Sequence, residues 1–416
     1  MADKPHSNFA PTRIFSNVQI GLIWFGAAVS LAEILTGTFF ASLGWQQGLA
    51  AIFIGHLIGC VLFWGMSYAS ARSGRSAMEM AAASFGVKGS LVFSVANVVQ
   101  LIGWTAIMIA SGAAAAMVLV PAFGLAGWAL CLGALIVVWV ALGPAVMGRV
   151  QSIAAAGLFI LTILVSFAIF TTPSTEMVVA SAGDPITFGA AVELAAAMPL
   201  SWLPVAGDYL RQARRPRSAT LTATITYGAG SCWMFAIGLG LALFAGSSDI
   251  TAVLSQIGWG VVGLLIVVFS TVTTTFLDAE SAGISAAAIY QRIPARTAGI
   301  VAALIGMLLA IAAPVATFES FLYLIGSIFA PMAAIVCVDR LIIHRTSDSD
   351  VFESKSEHSG FNALNMVLWL AGFVLYRVSL SWDIPVGNTL PVMIIIAFAT
   401  WLAHRIYQSM QRSTDA

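Results

Sequence analysis

The stretch WFGAAVSLAEILTGTFF, residues 24–40, decides how this chain is read. It is apolar enough to cross a membrane, yet it carries Gly26, Gly37 and, near its middle, Glu33. A carboxylate at mid-bilayer must find a partner or a wet cavity, so Glu33 is a functional-site candidate by default. Glycines and small residues let a membrane helix break and turn free carbonyls toward an ion. The competing reading is that Gly26 and Ala28 only permit close helix packing. A second stretch, AVELAAAMPLSWLPVAGDYLRQARRPR, residues 191–217, poses the same question. Pro199 and Pro204 each remove a backbone donor and clash with the preceding turn, which breaks the helix near Ser201 and Trp202. An unwound segment holding a hydroxyl and an indole suits the wall of a planar ligand. The alternative is an ordinary kink with a packed tryptophan.

Composition sets the frame for both stretches. Of 416 residues, 60% are hydrophobic and 9% charged, with mean hydropathy +0.95. Soluble domains carry about 25% charged residues. Apolar runs of spanning length recur from residue 18 to residue 408, so the chain is expected to be an all-α integral membrane protein. The alternating ten-residue pattern of a β-barrel is not visible. Twelve spans can be placed, at about 18–43, 47–70, 89–117, 125–143, 150–172, 188–210, 218–245, 257–290, 297–314, 318–343, 361–380 and 386–408. A short interfacial helix fits within residues 71–90. With the N-terminus in the cytoplasm, every Lys and Arg except Arg377 falls on the cytoplasmic side, 17 of the 18. Both termini are then cytoplasmic.

The expected organisation is a cytoplasmic tail (1–17), a ten-helix core (18–343), a polar linker (344–360), two accessory helices (361–408) and a second tail (409–416). The core divides into halves at about 18–172 and 188–343. Broken first and sixth helices, five spans apart, fit a secondary transporter built from two inverted five-helix repeats around a midplane site. No phosphate-binding G-x-x-x-x-G-K-[ST] loop is present, and no His or Cys cluster marks a metalloenzyme. The chain is not expected to be an enzyme, to hold a cofactor or to bind nucleic acid. Cys60, Cys131, Cys232 and Cys337 read as small apolar residues. His56, a lone histidine in the second span, reads as packed rather than as a proton carrier.

Two further clusters draw attention. In VFSTVTTTFLDAESAGISAAA, residues 268–288, Ser270, Thr273 and Thr274 share one helix face. Their hydroxyls suit a small hard cation, and equally suit back-bonding to the preceding turn. Asp278 and Glu280 follow and cannot both face lipid cheaply. In the third span Gln100 and Trp104 stand at i and i+4 on one face, with the tryptophan away from the interfacial belt where most membrane tryptophans sit. Packing is the competing reading for that tryptophan. Asp208, Arg211, Arg214 and Arg215 read as a charge cluster at a cytoplasmic helix end.

Several motifs resemble the nucleobase-cation-symport-1 family. They are SFGVKGS (84–90), Gly103–Trp104, GDYLR (207–211) and APMAAIVCVDRLIIHR (330–345). The resemblance covers essentially the whole chain. It is similar to bacterial cytosine permeases, and WFGAAVSLAEILTG with PLSWLPVAGDY points to the hydroxymethylpyrimidine-transporter branch. The resemblance implies the LeuT-like five-plus-five inverted repeat with two extra C-terminal helices, in a bacterial inner membrane. It implies a cation site, for sodium or alternatively a proton, made by carbonyls at Gly26 and Val29 and hydroxyls at Ser270, Thr273 and Thr274. It also implies that Trp104 stacks on the substrate. Cytosine permeases have a glutamine three residues before that tryptophan, where this chain has Leu101 with Gln100 one earlier. The asparagine and aspartate after the hydroxyls become Thr275 and Phe276.

A different hydrogen-bonding set implies a different ligand. Hydroxymethylpyrimidine carries an exocyclic amine beside a ring nitrogen, an edge that a carboxyl group can pair through two bonds. Glu33 is the first candidate for that pairing, with Asp278 or Glu280 behind it. Trp104 and Trp202 would stack on the ring faces, and Gln100, Ser201 and Thr275 complete the expected site. Cytosine, another nucleobase or a purine is the alternative substrate, and the other expected partners are the coupling cation and the lipid bilayer.

Overall fold

The computed structural model describes residues 13–171, 185–244, 258–290, 292–312, 318–343 and 360–414. The expected linker, apart from Gly360, lies outside the described residues, as do residues 1–12 and 415–416 of the two tails. Every regular element among the described residues is helical. The first half runs α1 (Asn17–Ala28), α2 (Leu31–Thr38), a 3-10 turn (Phe39–Leu43), α3 (Gly44–Ser73), α4 (Ala77–Leu119), α5 (Gly124–Leu142) and α6 (Pro144–Thr171). The second runs α7 (Phe188–Ser201), α8 (Leu203–Leu210), α9 (Pro216–Phe244), α10 (Gly260–Ile289), α11 (Ala295–Ala312) and α12 (Phe318–Cys337), which ends in a π-helical turn (Val338–Ile343). The last two helices are α13 (Ala363–Ser379) and α14 (Thr389–Thr414).

Ten helical stretches among the described residues are long and apolar enough to cross a membrane, four of them running through the junction of two or more helical elements. Two shorter apolar helices, α1 and α13, stand beside them. The outward faces are apolar as well: Phe53, Val61, Ile153, Phe167, Leu308 and Ile394 are exposed. Polar side chains such as Glu33, His56, Asn97, Glu193 and Asp278 are buried instead. That inversion is what a hydrocarbon solvent demands.

Both expected breaks are present. The first span parts at Val29 (φ −84°, ψ 90°) and Ser30, which is extended at φ −138°, ψ 155°. Ser30 then caps α2, its hydroxyl accepting from the Glu33 amide at 3.2 Å. This satisfies a donor that the break would otherwise leave bare in a dry interior. Gly37 serves the packing role that was the competing reading for the glycines. A Cβ there would overlap the Phe235 carbonyl, and one on Gly238 would overlap the Ile34 carbonyl. Bare backbones thus bring α2 onto α9 at closest approach.

The second break is narrower. Pro199 lies in the last turn of α7 and Pro204 opens α8, with Trp202 alone between the two helices. Polar side chains of α4 meet the carbonyls around the joint. Gln100 Nε2 donates to Ser201 O at 3.2 Å, and Asn97 Nδ2 donates to Pro204 O at 3.2 Å.

The interfacial helix expected before the third span is the first part of α4. Gly86, at φ 78° and ψ 160°, turns the chain there into the long span. This is a left-handed conformation that side chains with a Cβ rarely adopt. The SFGVKGS motif around it is a latch. The Ser84 carbonyl accepts from Asn362 Nδ2 at 3.0 Å and Asn365 Nδ2 at 2.7 Å, and Arg340 Nε donates to Ser84 Oγ at 3.2 Å. Two of the family-like motifs are therefore joined structurally, and none of these residues lines the cavity described below.

Candidate functional site

The two breaks face each other across a narrow cavity. Its lining comes from α1 and α2 (Ala27, Ser30, Ala32, Glu33), α4 (Trp104, Met108), the α7–α8 joint (Met198, Ser201, Trp202) and α10 (Thr274, Asp278). Five helical segments that are remote in sequence thus place two indoles, two carboxyl groups and three hydroxyls around one space. Trp202 meets Trp24 edge to face, with centroids 5.5 Å apart, and Trp104 meets Phe321 at 5.5 Å.

The two carboxyl groups differ. Glu33 is held from behind by α9: Tyr227 donates to Oε1 at 2.8 Å, and Ser231 Oγ lies 2.6 Å from Oε2. Ser231 Oγ in turn lies 2.5 Å from His56 Nε2 on α3, so Glu33 ends a polar chain crossing three helices. Asp278 is 3% exposed and lines the cavity. Its carboxylate has no hydrogen-bond or ion-pair partner among the described residues. A buried carboxylate left unpaired costs several kcal/mol, roughly, even after relaxation, unless a ligand pairs with it.

The other expected site residues divide. Ser201 and Thr274 line the cavity, though the Ser201 hydroxyl is turned to Met198 O at 2.7 Å. Gln100 is not in the lining and ties α4 to the α7–α8 joint instead. Thr275, fully buried, and Glu280, which accepts from Tyr209 at 3.0 Å, are also absent from it. Their positions follow from helical geometry. Thr275 is one place from Thr274 and Glu280 two places from Asp278, so each points about 100–200° away from a lining residue.

Of the proposed cation ligands, Thr274 donates across to Gly26 O at 3.2 Å, joining α10 to the end of α1 beside the break. Ser270 and Thr273 back-bond to Val267 O at 3.4 Å and Phe269 O at 2.7 Å. The back-bonding foreseen as the alternative use therefore holds for Ser270 and Thr273. Of the expected charge cluster, Arg211 Nε donates to Asp208 O at 3.3 Å, and the Asp208 side chain turns inward. It is buried and accepts from the Ala77 amide at the start of α4, while Arg211 pairs with Glu79 at 3.6 Å.

Tyr227 and Ser231 were missed in the sequence. They stand at i and i+4 of ITYGAGSCW, residues 225–233, on one helix face. The argument that joined Ser270 to Thr274 applies to them equally.

Two discontinuous helices around a buried, aromatic-walled cavity define a multi-pass membrane transporter of the inverted-repeat type. The comparisons with known proteins agree. Residues 12–401 match the family model described as permease for cytosine/purines, uracil, thiamine, allantoin, and the chain belongs to that family. It is a transporter and not an enzyme. It is 24% identical over 384 residues to the cytosine permease of Escherichia coli strain K12, covering 90% of this chain and 85% of that one.

Among solved structures, Mhp1, a nucleobase-cation-symport-1 family transporter, matches in its closed conformation with bromovinylhydantoin bound. The TM-score is 0.75 at 19% identity, over 97% of this chain and 94% of that one. Its inward-facing conformation matches at 0.76 and 18%, over 97% and 92%. A Na+-coupled sialic acid symporter in its outward-open state matches at 0.66 and 15%, over 94% and 90%. These likenesses establish the LeuT-like fold.

Proposed function

We propose that the protein imports a pyrimidine-type molecule by cation symport and alternating access, with hydroxymethylpyrimidine the first candidate and cytosine, another nucleobase or a purine the alternative. The observation that carries the reading is Asp278, a buried, unpartnered carboxylate facing a cavity that also holds Trp104 and Trp202. A flat aminopyrimidine supplies what that arrangement lacks. Its amine, and the adjacent ring nitrogen when that nitrogen carries a proton, donate to the two carboxylate oxygens, and its faces offer π surface to the indoles. The pairing role first given to Glu33 passes to Asp278 because both Glu33 oxygens are already engaged by α9.

The cation reading rests on the Thr274–Gly26 contact. A sodium ion between α1 and α10 would replace that bond. Gly26 and Val29 would give carbonyls, and Ser270, Thr273 and Thr274 would turn their hydroxyls from back-bonding to coordination. Such an ion would couple to the substrate through the break that both share. In this reading the chain crosses a bacterial inner membrane twelve times with both termini in the cytoplasm, as the Lys and Arg distribution favours.

The test is uptake into proteoliposomes under imposed sodium or proton gradients, across a panel of hydroxymethylpyrimidine, cytosine, uracil and a purine. Saturable, gradient-dependent accumulation of hydroxymethylpyrimidine above the others supports the first candidate. Preference for cytosine or a purine supports the alternative, and gradient-independent flux of every compound refutes symport.

A further inference from the structure

The chain His56–Ser231–Glu33 carries an inference beyond the transport reading, and it begins with counting hydrogens. His56 Nδ1 lies 2.8 Å from the Ile52 carbonyl, which can only accept, so Nδ1 bears a proton. Nε2 lies 2.5 Å from Ser231 Oγ, and Oγ lies 2.6 Å from Glu33 Oε2. Each of those contacts needs a hydrogen between its two atoms. Serine has one to give. If it donates to Nε2, Glu33 must be a carboxylic acid donating to Oγ. If it donates to Glu33, His56 must be an imidazolium donating from Nε2.

In both cases the chain holds one proton beyond the serine's own, and its net charge is zero. We propose that Glu33, Ser231 and His56 form a proton-binding site that holds one exchangeable proton and latches α2 to α9 and α3.

The surroundings suit such a site. His56, Ser231 and Glu33 are all buried. Tyr227 donates to the other Glu33 oxygen and stays attached in either form. The remaining titratable groups nearby are Cys60 on α3 and Cys232 on α9, with Asp278 across the cavity on α10. From α4 and α7 the cavity receives Trp104, Met108 and Met198, none of them charged. No cation stands among these groups, so removal of the proton leaves a net negative charge in a dry wall, which is costly.

Release breaks the Glu33 O–H bond, or equivalently the His56 Nε2–H bond, and passes the proton to water. One of the two short contacts then loses its hydrogen, and Ser231 can no longer bridge both neighbours. Since Glu33 also lines the cavity, the latch sits where substrate-linked movement of α2 would open it. The site is distinct from the α1–α10 contact at Thr274 and stands whether or not sodium binds there.

The experiment reads the proton directly in full-length protein in lipid nanodiscs near neutral pH. Infrared difference spectra compare wild type with Glu33→Gln, and nitrogen-15 spectra of histidine-labelled wild type read His56. The expected result is either a protonated-carboxyl band that disappears in Glu33→Gln or an imidazolium signal at His56, lost in one step as pH rises. An ionised Glu33 beside a neutral His56 would overturn the proposal. Should Glu33→Gln fail to fold, Ser231→Ala assigns the band by shifting it.

The latch is read by thermal melting across pH. The site is filled at low pH and empties about tenfold per pH unit once its titration is passed. The wild-type midpoint is therefore expected to fall as pH rises. Glu33→Gln, whose amide donates to Ser231 at every pH, should hold steady. Identical pH profiles for the two proteins would contradict the latch.

Discussion

Glu33 and Glu193 are both buried glutamates on discontinuous helices, 2% and 1% exposed, and they are opposites in use. Glu193, on α7, accepts from the backbone amides of Asn388 and Thr389 at 2.6 and 2.7 Å, from the Thr389 hydroxyl at 2.6 Å and from the Tyr376 hydroxyl. Four donors saturate the carboxylate. It caps the start of α14 from outside that helix, and it fastens both accessory helices to the transport core. Glu33 has one bond from Tyr227 and one proton-sharing contact with Ser231, and it keeps a face on the cavity. A carboxylate surrounded by donors is structural, whereas one with capacity left beside a cavity can exchange partners. Asp278, with no partner at all among the described residues, lies at the far end of that scale.

The largest effect should come from breaking the saturated group. Glu193→Ala orphans two amides and two hydroxyls, at about 1–3 kcal/mol for each group left unsatisfied. It should lower the melting midpoint of purified protein sharply, while the folded fraction still binds substrate. Next comes Asp278→Asn, which keeps shape but removes the charge and one acceptor. A lost hydrogen bond to a charged group is worth about 1.5–3 kcal/mol, or roughly tenfold to a hundredfold in affinity. The loss should appear in substrate binding, with little change in melting. The smallest effect should follow Tyr227→Phe. It removes one bond to Glu33 at a cost of about 1 kcal/mol while leaving the serine–histidine chain in place.

The sequence showed where the backbone must break, because Pro199 and Pro204 act locally and Glu33 in an apolar run demands an explanation. It also placed Trp104, Trp202, Ser201, Thr274 and Asp278, five residues that share the cavity. It put Glu33 ahead of Asp278 for the pairing with substrate. Glu33 and Asp278 look alike in the sequence. The difference between them is made by Tyr227 and Ser231, some two hundred residues from Glu33 and brought to it by the α2–α9 packing of Gly37 and Gly238. His56 hides its neighbours for the same reason. A lone histidine on one helix shows nothing of the serine it meets, 175 positions away. Glu193 drew no notice because its four donors come from α13 and the start of α14.

The central claim is that the cavity between the two breaks is the substrate site and that Asp278 is its recognition carboxylate. The most direct test is equilibrium binding of radiolabelled hydroxymethylpyrimidine and cytosine to purified wild type, Asp278→Asn and Glu193→Gln, each checked for folding. The account predicts saturable binding of an aminopyrimidine to wild type and to the folded fraction of Glu193→Gln, with binding to Asp278→Asn at least about tenfold weaker. Equal affinity in wild type and Asp278→Asn would contradict it.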